Sequence, residues 1–414
     1  MHYIVEGGKK IEGEVDVSGS KNASLPILAA SILGEKSTLY NVPNIEDTKT
    51  TQKILAYLGC KVVKKNDKIC IDSSSVNKFE IPGDLMHKMR SSVVIAGAIL
   101  GRFKKVNFSY PGGCEIGARP IDLHLKVFER LNVNIQEESG KIYCYSDELI
   151  GNNIHLDFPS VGATESAMMA ACMAKGETII TNAAMEPEIV DLQNFLNRMG
   201  AKVQGAGTNS IRIIGVKRLR DVSYNIMPDR IEAGTLLCMA MVTRGNIRIN
   251  KVVPEHIRLI LYKLEECGAK IYEDGLSIIL EAPKRIKSIE IKTMPYPGFP
   301  TDMQSVFGAM LTTSKGTSII IENIFENRFK YINELKKMNA KIEVEGKMAV
   351  IKGIKKLSSA EVEATDLRGG AALCTAALSA NGMTKINNIE HILRGYEDLD
   401  KKLNTLGAKI ERCK

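Results

Sequence analysis

One pattern of hydrophobic and polar positions recurs six times along the 414-residue chain. In GNIRINKVVPEHIRLILYKLEECGAKI (245–271), a short strand is followed by a turn, an amphipathic helix and the start of another strand. Each copy opens on a glycine, and successive opening glycines lie 66 to 75 residues apart: Gly34, Gly101, Gly176, Gly245, Gly316 and Gly382. This periodicity predicts repeated structural units of about 70 residues.

An apolar helix precedes each opening glycine. Two examples are ESAMMAACMAKG (165–176) and RIEAGTLLCMAMVTRG (230–245), which are rich in Ala and Met on every side. Because a helix that is apolar all round must be buried all round, the pattern predicts helices enclosed by walls of sheet. The chain is too long for one ordinary core, so we expect an α/β (α+β) protein with two groups of three units and a boundary near 225–230.

The second copy contains an insertion. From the opening glycine to the closing Gly or Asn, five copies span 23 to 25 residues, whereas the copy at 101–132 spans 31. The extra residues fall in YPGGCEIGARP (110–120). A tolerated surface loop with an incidental cysteine is one interpretation. The other is a reactive loop, in which Arg119 favours the thiolate form of Cys114.

Polar residues gather at the starts of the apolar helices. Helix N-termini suit phosphate and carboxylate ligands, although simple capping explains the Asp and Ser positions equally well. Capping does not explain the arginines, because a cation at a helix N-terminus is locally unfavourable. We therefore expect a cationic cleft for an anionic ligand. The positions at the helix starts are Lys21, Asn22, Arg90, Ser160, Glu165, Asp229, Arg230, Glu232, Asp302, Asp366 and Arg368.

Composition excludes several classes of function. Aromatic residues make up 5% of the chain and Trp is absent, which argues against a stacking platform for nucleic acid. The net charge of +8 is spread along the chain, so it fits a solvated surface as well as an anion site. No signal peptide or membrane span is predicted. The nine scattered cysteines form no C-x-x-C pair, so we expect a reducing cytoplasm, no disulfide framework and no metal site.

Several longer motifs stand in order from end to end. They include GSKNAS (19–24), PGGCEIGARPIDLH (111–124), SVGATES (160–166), PGFPTDMQ (297–304), ATDLRGGAAL (364–373) and HILRGYE (391–397). Together they resemble the UDP-N-acetylglucosamine 1-carboxyvinyltransferases of the EPSP synthase family, over essentially the whole chain. The resemblance implies an inside-out α/β barrel with three βαβαββ-like units in each of two domains. The domains would be 21–227 and 1–20 plus 228–414, with the active site in the cleft between them.

The resemblance also implies a reaction and its residues. Phosphoenolpyruvate and UDP-N-acetylglucosamine would give the 3-O-enolpyruvyl sugar nucleotide and phosphate, by addition and then elimination. Cys114 matches a general acid that also forms a covalent adduct, and Asp302 matches the candidate base. Catalytic Lys21 and Arg394, with Asn22 and Arg119, match the phosphoenolpyruvate site. The residues that match sugar-nucleotide contacts are Arg90, Arg119, Pro120, Ile121, Asp122, Leu123, His124, Ser160, Val161, Gly162, Asp302 and Ile324. Arg328 and Arg368 match other cleft residues.

These implications place the chain in a pathway. We expect a cytoplasmic transferase, the monomer favoured, at the first committed step of peptidoglycan synthesis, and hence of cell-wall formation, cell shape and division. No cofactor, metal, nucleic acid or membrane partner is expected. Family members with Asp at the loop position escape fosfomycin-type epoxides, so Cys114 predicts inactivation. Two alternatives stay open: a catalytically silent UDP-sugar-binding paralogue, and the sister enzyme acting on shikimate 3-phosphate, which lacks the PGGC loop.

Overall fold

The structure, a computed structural model, describes residues 1–88, 92–110 and 121–414. These residues divide into two units. The N-terminal unit contains residues 19–88, 92–110 and 121–227, and the C-terminal unit contains residues 1–18 and 228–414. Four of the predicted site residues lie outside the described residues, namely Arg90, Cys114, Arg119 and Pro120.

Short strands and helices alternate along both units. The strands are β1 (His2–Glu6), β2 (Glu12–Asp16), β3 (Lys36–Tyr40), β4 (Lys61–Lys65), β5 (Lys68–Asp72), β6 (Lys105–Ser109), β7 (Asn134–Glu138), β8 (Lys141–Tyr145), β9 (Asn153–His155), β10 (Glu177–Thr181), β11 (Lys202–Gln204), β12 (Ser210–Ile214), β13 (Val222–Asn225), β14 (Asn246–Asn250), β15 (Lys270–Asp274), β16 (Ser277–Glu281), β17 (Glu290–Lys292), β18 (Thr317–Ile321), β19 (Lys341–Glu345), β20 (Met348–Lys352), β21 (Glu361–Glu363), β22 (Met383–Asn387) and β23 (Lys409–Cys413). The α-helices are α1 (Lys21–Ala30), α2 (Glu46–Leu58), α3 (Gly83–Lys88), α4 (Ser92–Phe103), α5 (Asp122–Arg130), α6 (Val161–Ala171), α7 (Pro187–Arg198), α8 (Arg230–Thr243), α9 (Arg258–Glu266), α10 (Thr301–Leu311), α11 (Tyr331–Lys337), α12 (Leu367–Ser379), α13 (Glu390–Leu393) and α14 (Leu399–Thr405).

Each unit is walled by small sheets of three or four strands. In the described part of the N-terminal unit the strand orders are β13-β3-β5-β4, β6-β8-β7 and β11-β12-β10-β9. In the C-terminal unit they are β15-β16-β14-β2, β17-β18-β20-β19 and β21-β22-β1-β23. Parallel neighbours such as β2 and β14 combine with antiparallel hairpins such as β15–β16. The repeated sheets around buried helices confirm the predicted α/β class.

The strand that opens each repeat buries alternate residues. In each of these six strands the first residue is exposed and the second and fourth residues are buried. The strands are β3, β6, β10, β14, β18 and β22. Five of these strands begin one or two residues after the predicted opening glycine. The prediction at Gly101 is wrong, because α4 continues through it to Phe103 and β6 begins only at Lys105. Lys104 makes the turn with a left-handed φ of 58°.

The closing position of each repeat has a left-handed backbone. At Gly59, Gly200, Gly268 and Gly407, φ lies between 90° and 108°, and at Asn132 and Asn339 it is 68°. A residue in this conformation ends a helix, and Gly and Asn tolerate it best. The Gly-or-Asn requirement seen in the sequence is therefore a requirement of the turn that follows each outer helix.

The apolar helices form the centre of each unit. In the C-terminal unit α8, α10 and α12 pack pairwise, and in the N-terminal unit α4 packs on α1 and α6. Every residue of α8 from Arg230 to Val242 is buried, as the all-round apolar pattern predicts. Within the described ranges, the helices fall short of the combined length and hydrophobicity that crossing a membrane requires.

Replacing Gly97 by alanine should destabilise the N-terminal unit. A Cβ at Gly97 on α4 would lie 2.7 Å from the Ser166 Cα and 2.7 Å from its carbonyl oxygen on α6. Backbone atoms cannot move aside cheaply, so we expect unfolding to become easier by about 1–3 kcal/mol despite the better helix propensity of alanine.

Gly234→Ala is the matched control for this prediction. It lies in the buried helix α8, where a new Cβ meets the Met303 Cε at 3.0 Å, the flexible end of a side chain. Thermal unfolding of both variants measures the difference. Equal midpoints for the two variants would contradict close backbone packing of α4 on α6.

Candidate active site

A carboxylate lies between two buried arginines in the C-terminal unit. Asp302 is the second residue of α10, Arg368 is the second residue of α12, and Arg328 follows β18. The Arg328 Nη2 donates to the Asp302 Oδ1 at 3.0 Å, and the Arg368 Nη2 donates to the Asp302 Oδ2 at 3.0 Å. The structure thus brings together three residues that were predicted from separate parts of the sequence.

The arginines of this cluster are buried, which strengthens their interaction with the aspartate. The side chains of Arg328 and Arg368 are 3% and 4% exposed, whereas that of Asp302 is 27% exposed. Charges held away from water need an opposite charge close by, and Asp302 supplies one to both guanidinium groups. Burial alone would lower the pKa of Arg368, but Tyr396 and Asp302 beside it outweigh burial and raise that pKa above its usual value. Asp302 therefore presents a fixed, negatively charged carboxylate at a partly open position.

Capping explains the other two helix-start aspartates of this unit. The Asp229 Oδ1 accepts from the backbone N–H groups of Ile231 and Glu232, and the Asp366 Oδ1 accepts from those of Arg368 and Gly369. Asp302 differs, because the N-cap of α10 is Pro300 and the Asp302 carboxylate is directed at the two arginines. The competing interpretation of the sequence pattern thus holds for two of the three aspartates and fails for Asp302.

Lys21 and Asn22 are the first two residues of α1, in the N-terminal unit. Both side chains are half-buried, and the Lys21 Nζ lies 2.9 Å from the Asp47 Oδ2. Asp47 is buried in the first turn of α2 and was not predicted as a site residue. Its position just after a turn, in NIEDTK (44–49), was the available signal, but such a residue usually serves the helix start. Asp47 fixes where the Lys21 ammonium lies.

Two stretches predicted to contact the sugar nucleotide lie against each other in the N-terminal unit. Ile121 is the N-cap of α5, and Asp122, Leu123 and His124 form the first turn of that helix. Ser160 caps α6, where its Oγ accepts from the Ala163 N–H at 3.4 Å, and Val161 and Gly162 follow it. The His124 ring packs so closely on Gly162 that a Cβ there would lie 3.2 Å from the ring. The His124 Nδ1 is 2.9 Å from the Ser166 Oγ.

Ile324 lies in a loop that a buried glutamate organises. The Glu322 Oε1 accepts from the backbone N–H groups of Ile324 and Phe325 at 2.8 and 3.1 Å. Its Oε2 accepts from the Thr301 hydroxyl at 2.9 Å, directly before Asp302. Glu322 was not predicted, and the only available signal was a charged residue directly after the apolar strand TSIII (317–321). This single carboxylate joins the Ile324 loop to the start of α10.

Burial raises the pKa of the two glutamates that were predicted at helix starts. Burial raises the pKa of Glu165 well above its usual range, and Glu188 and Glu186 raise it further. Burial also raises the pKa of Glu232 to about 7, although Lys402, whose Nζ donates to its carboxylate, opposes this. No group of three or more His, Cys, Asp or Glu residues that could hold a metal ion occurs in 1–88, 92–110 or 121–414.

Arg394 is the remaining predicted residue of the C-terminal unit. It is half-buried and forms the C-cap of the short helix α13. Two residues further on, Tyr396 is buried with its ring 5.3 Å from the Arg368 Cζ. Tyr396 was not predicted as a site residue, although it belongs to the HILRGYE motif that contains Arg394.

Comparison with known proteins gives consistent matches along the chain. The family model for EPSP synthase (3-phosphoshikimate 1-carboxyvinyltransferase) matches residues 5–403. UDP-N-acetylglucosamine 1-carboxyvinyltransferase 2 of Caldanaerobacter subterraneus subsp. tengcongensis is 51% identical over 412 residues, which are 99% of each chain. UDP-N-acetylglucosamine 1-carboxyvinyltransferase of Desulfatibacillum aliphaticivorans is 48% identical over 412 residues, again 99% of each chain.

Two solved structures share the fold. The enolpyruvyl transferase NikO from Streptomyces tendae superposes with a TM-score of 0.89 at 24% identity, over 99% of this chain and 98% of that one. EPSP synthase from Acinetobacter baumannii superposes with a TM-score of 0.77 at 18% identity, over 99% of each chain. At these identities the likeness concerns the fold alone.

Proposed function

The chain belongs to the EPSP synthase family, and from its full-length identity of about half with UDP-N-acetylglucosamine 1-carboxyvinyltransferases we propose its reaction. It transfers the enolpyruvyl group of phosphoenolpyruvate to the 3-hydroxyl of UDP-N-acetylglucosamine and releases phosphate. The observation that carries this proposal is the 51% identity over 99% of both chains. A carboxylate held by two buried arginines supports it from within the structure.

The reaction is an addition followed by an elimination. A proton adds to C3 of phosphoenolpyruvate, C2 becomes electrophilic, and the sugar 3-hydroxyl oxygen forms a bond to C2 as it loses its proton. A proton then leaves C3, the C2–O bond to phosphate breaks, and the C2–C3 double bond forms again. The product is the enolpyruvyl ether with inorganic phosphate. Each half of the reaction requires one group that donates a proton and one that accepts a proton.

Cys114 and Asp302 take these two roles in our proposal. Cys114 donates the proton to C3 and Asp302 accepts the proton of the 3-hydroxyl. A carboxylate is too weak a base to ionise an alcohol beforehand, so the proton moves as the new C–O bond forms. The contacts from Arg328 and Arg368 support this role because they hold both oxygens of Asp302 in one orientation. Orientation of this kind is a large part of catalysis.

The cationic residues bind the phosphoenolpyruvate in this account. Lys21, Arg119 and Arg394 hold its phosphate and carboxylate, and Asn22 assists them. Fixed cations stabilise the negative charge of the tetrahedral intermediate without having to reorganise, and one such donor typically contributes about 3–4 kcal/mol. The Lys21–Asp47 contact of 2.9 Å supports the role of Lys21, because a flexible side chain placed beforehand loses less entropy on binding.

The remaining part of the proposal concerns the sugar-nucleotide site and the place of the enzyme in the cell. UDP-N-acetylglucosamine contacts Arg90, the segments 119–124 and 160–162, and Ile324. The close packing of His124 on Gly162 supports a shared role for those two segments. The two units are the two domains of the enzyme. The enzyme is a cytoplasmic monomer and needs no cofactor. The reaction is the first committed step of peptidoglycan synthesis, and so serves cell-wall formation, shape and division.

Phosphate release from phosphoenolpyruvate tests the proposal. The purified protein is given phosphoenolpyruvate with UDP-N-acetylglucosamine, with shikimate 3-phosphate, or with neither acceptor. We expect release only with UDP-N-acetylglucosamine. Release with shikimate 3-phosphate instead would identify the sister activity that the family description carries. No release with either acceptor would favour a silent sugar-nucleotide-binding protein and would overturn the proposal.

A further inference from the structure

Arg368 has a second neighbour besides Asp302. Tyr396 is 1% exposed, and its ring centroid lies 5.3 Å from the Arg368 Cζ, so the guanidinium group lies against the ring. Arg368 in turn donates to the Asp302 Oδ2. The candidate base is therefore two contacts away from a buried phenol.

The hydroxyl of Tyr396 is held by a second helix. Its oxygen lies 3.0 Å from the Thr235 Oγ1 on α8. The Thr235 Oγ1 is in turn 2.8 Å from the Ile231 carbonyl oxygen of the same helix, so the threonine hydroxyl is itself held in place. Burial raises the pKa of Tyr396, although Arg368 opposes the rise, so the phenol stays neutral.

These contacts form one chain. It runs from Asp302 on α10 to Arg368 on α12, to the ring of Tyr396, and from the Tyr396 hydroxyl to Thr235 on α8. All three central helices of the C-terminal unit are thereby joined. A phenol held at its hydroxyl keeps its ring in one place, and a guanidinium group over an aromatic ring is attracted to that ring.

We propose that Tyr396, fixed by Thr235, is a positioning residue for the reaction: it sets the orientation of Arg368 and, through Arg368, that of the Asp302 carboxylate. Tyr396 does not touch the reacting atoms in this account. The proposal rests on the proposed function, because its measurable effect is on the proton transfer to Asp302. It adds Tyr396 and Thr235 to the residues that determine the rate.

The test replaces the two hydroxyl groups in turn. Tyr396→Phe keeps the ring and removes the hydroxyl, and Thr235→Val does the same for Thr235. For each variant we expect kcat for phosphate release to fall about tenfold while KM for phosphoenolpyruvate stays within about twofold. Thr235→Ser retains a hydroxyl at the same place and should recover most of the kcat lost in Thr235→Val.

Tyr3→Phe is the matched control. Tyr3 is a fully buried phenol of the same unit whose hydroxyl donates to Asp400, and no described contact joins it to Asp302, Arg368 or Tyr396. Its kcat should match that of the unaltered protein, while thermal unfolding shows what losing one buried hydroxyl costs. A merely structural role of Tyr396 predicts the same pattern for Tyr396→Phe.

The outcomes separate the two proposals. If the unaltered protein releases no phosphate with UDP-N-acetylglucosamine, the proposed function has failed. If it is active and Tyr396→Phe keeps its kcat while folded, or loses no more than Tyr3→Phe, the positioning role is overturned. Equal kcat for Thr235→Val and Thr235→Ser would also overturn it. A tenfold loss with recovery by serine supports it.

Discussion

Cys114→Ala should lower the rate of enolpyruvyl transfer by about 10²- to 10⁴-fold, the usual contribution of a proton-transfer group. In the proposed mechanism the alanine variant has no acid to protonate C3, so the addition step loses its proton donor. Cys114→Asp should keep a large part of the activity, since a carboxylic acid can also donate a proton. Phosphate release under saturating substrates measures both variants.

The same residue should make the protein sensitive to a fosfomycin-type epoxide. Opening the epoxide by the thiolate leaves one inhibitor molecule on the peptide that carries Cys114. Most other cysteines are poor competitors, because burial raises their thiol pKa values to about 12 and leaves little thiolate; these are Cys60, Cys144, Cys172, Cys267 and Cys374. Burial likewise raises the pKa of Cys238 well above its usual range.

Peptide mass spectrometry after epoxide treatment shows which cysteine carries the inhibitor. Cys70 and Cys413 are partly exposed and serve as controls. Cys70→Ser and Cys413→Ser should leave inactivation unchanged, whereas Cys114→Asp should stay active and unmodified. Unchanged activity of the natural protein after prolonged exposure, with no added mass at Cys114, would contradict the role assigned to this loop.

Asp302→Asn should have an effect of similar size on turnover. Asparagine keeps the shape of the side chain but cannot take the proton of the 3-hydroxyl, so we expect kcat to fall by about 10²- to 10⁴-fold. The same change removes the negative charge from between two guanidinium groups whose side chains are 3% and 4% exposed. Leaving buried charges without their counter-charge is destabilising, so the unfolding temperature should fall as well.

Asp274→Asn provides the control for that experiment. Asp274 also accepts from an arginine, with its Oδ2 2.6 Å from the Arg248 Nη2, but its side chain is 67% exposed. Exposed ion pairs contribute little, so its kcat and its unfolding temperature should both stay close to those of the unaltered protein. An Asp302→Asn variant that is folded and turns over at the natural rate would remove Asp302 from the mechanism.

Much of the fold could be predicted because the same pattern of apolar and polar residues occurs six times along the chain. The apolar helices had to be buried, and residues 230–242 are buried without exception. The Gly or Asn that closes each repeat was recognised in the sequence, and the structure shows a left-handed backbone at each of these positions. The prediction at Gly101 failed because this glycine is packed inside α4. The sequence alone does not distinguish such a glycine from one that ends a helix.

The candidate site was harder to predict, because its residues lie far apart in the sequence. Separate parts of the sequence indicated Asp302, Arg328 and Arg368 as candidate residues, yet nothing local in the chain shows that one carboxylate binds both arginines. Asp47, Glu322 and Tyr396 were missed because their importance lies in partners that other elements supply. Such residues look like ordinary helix-start, strand-end or core positions until the tertiary contacts are known.

Identification of the reaction product tests the central claim most directly. The purified protein is incubated with phosphoenolpyruvate and UDP-N-acetylglucosamine, and the sugar nucleotide is examined by mass spectrometry and proton NMR. We expect a new sugar nucleotide that carries one enolpyruvyl group on the oxygen at C3, with its two vinyl protons, in amounts equal to the phosphate released. Recovery of unmodified UDP-N-acetylglucosamine, or phosphate released without an enolpyruvyl ether, would contradict the account.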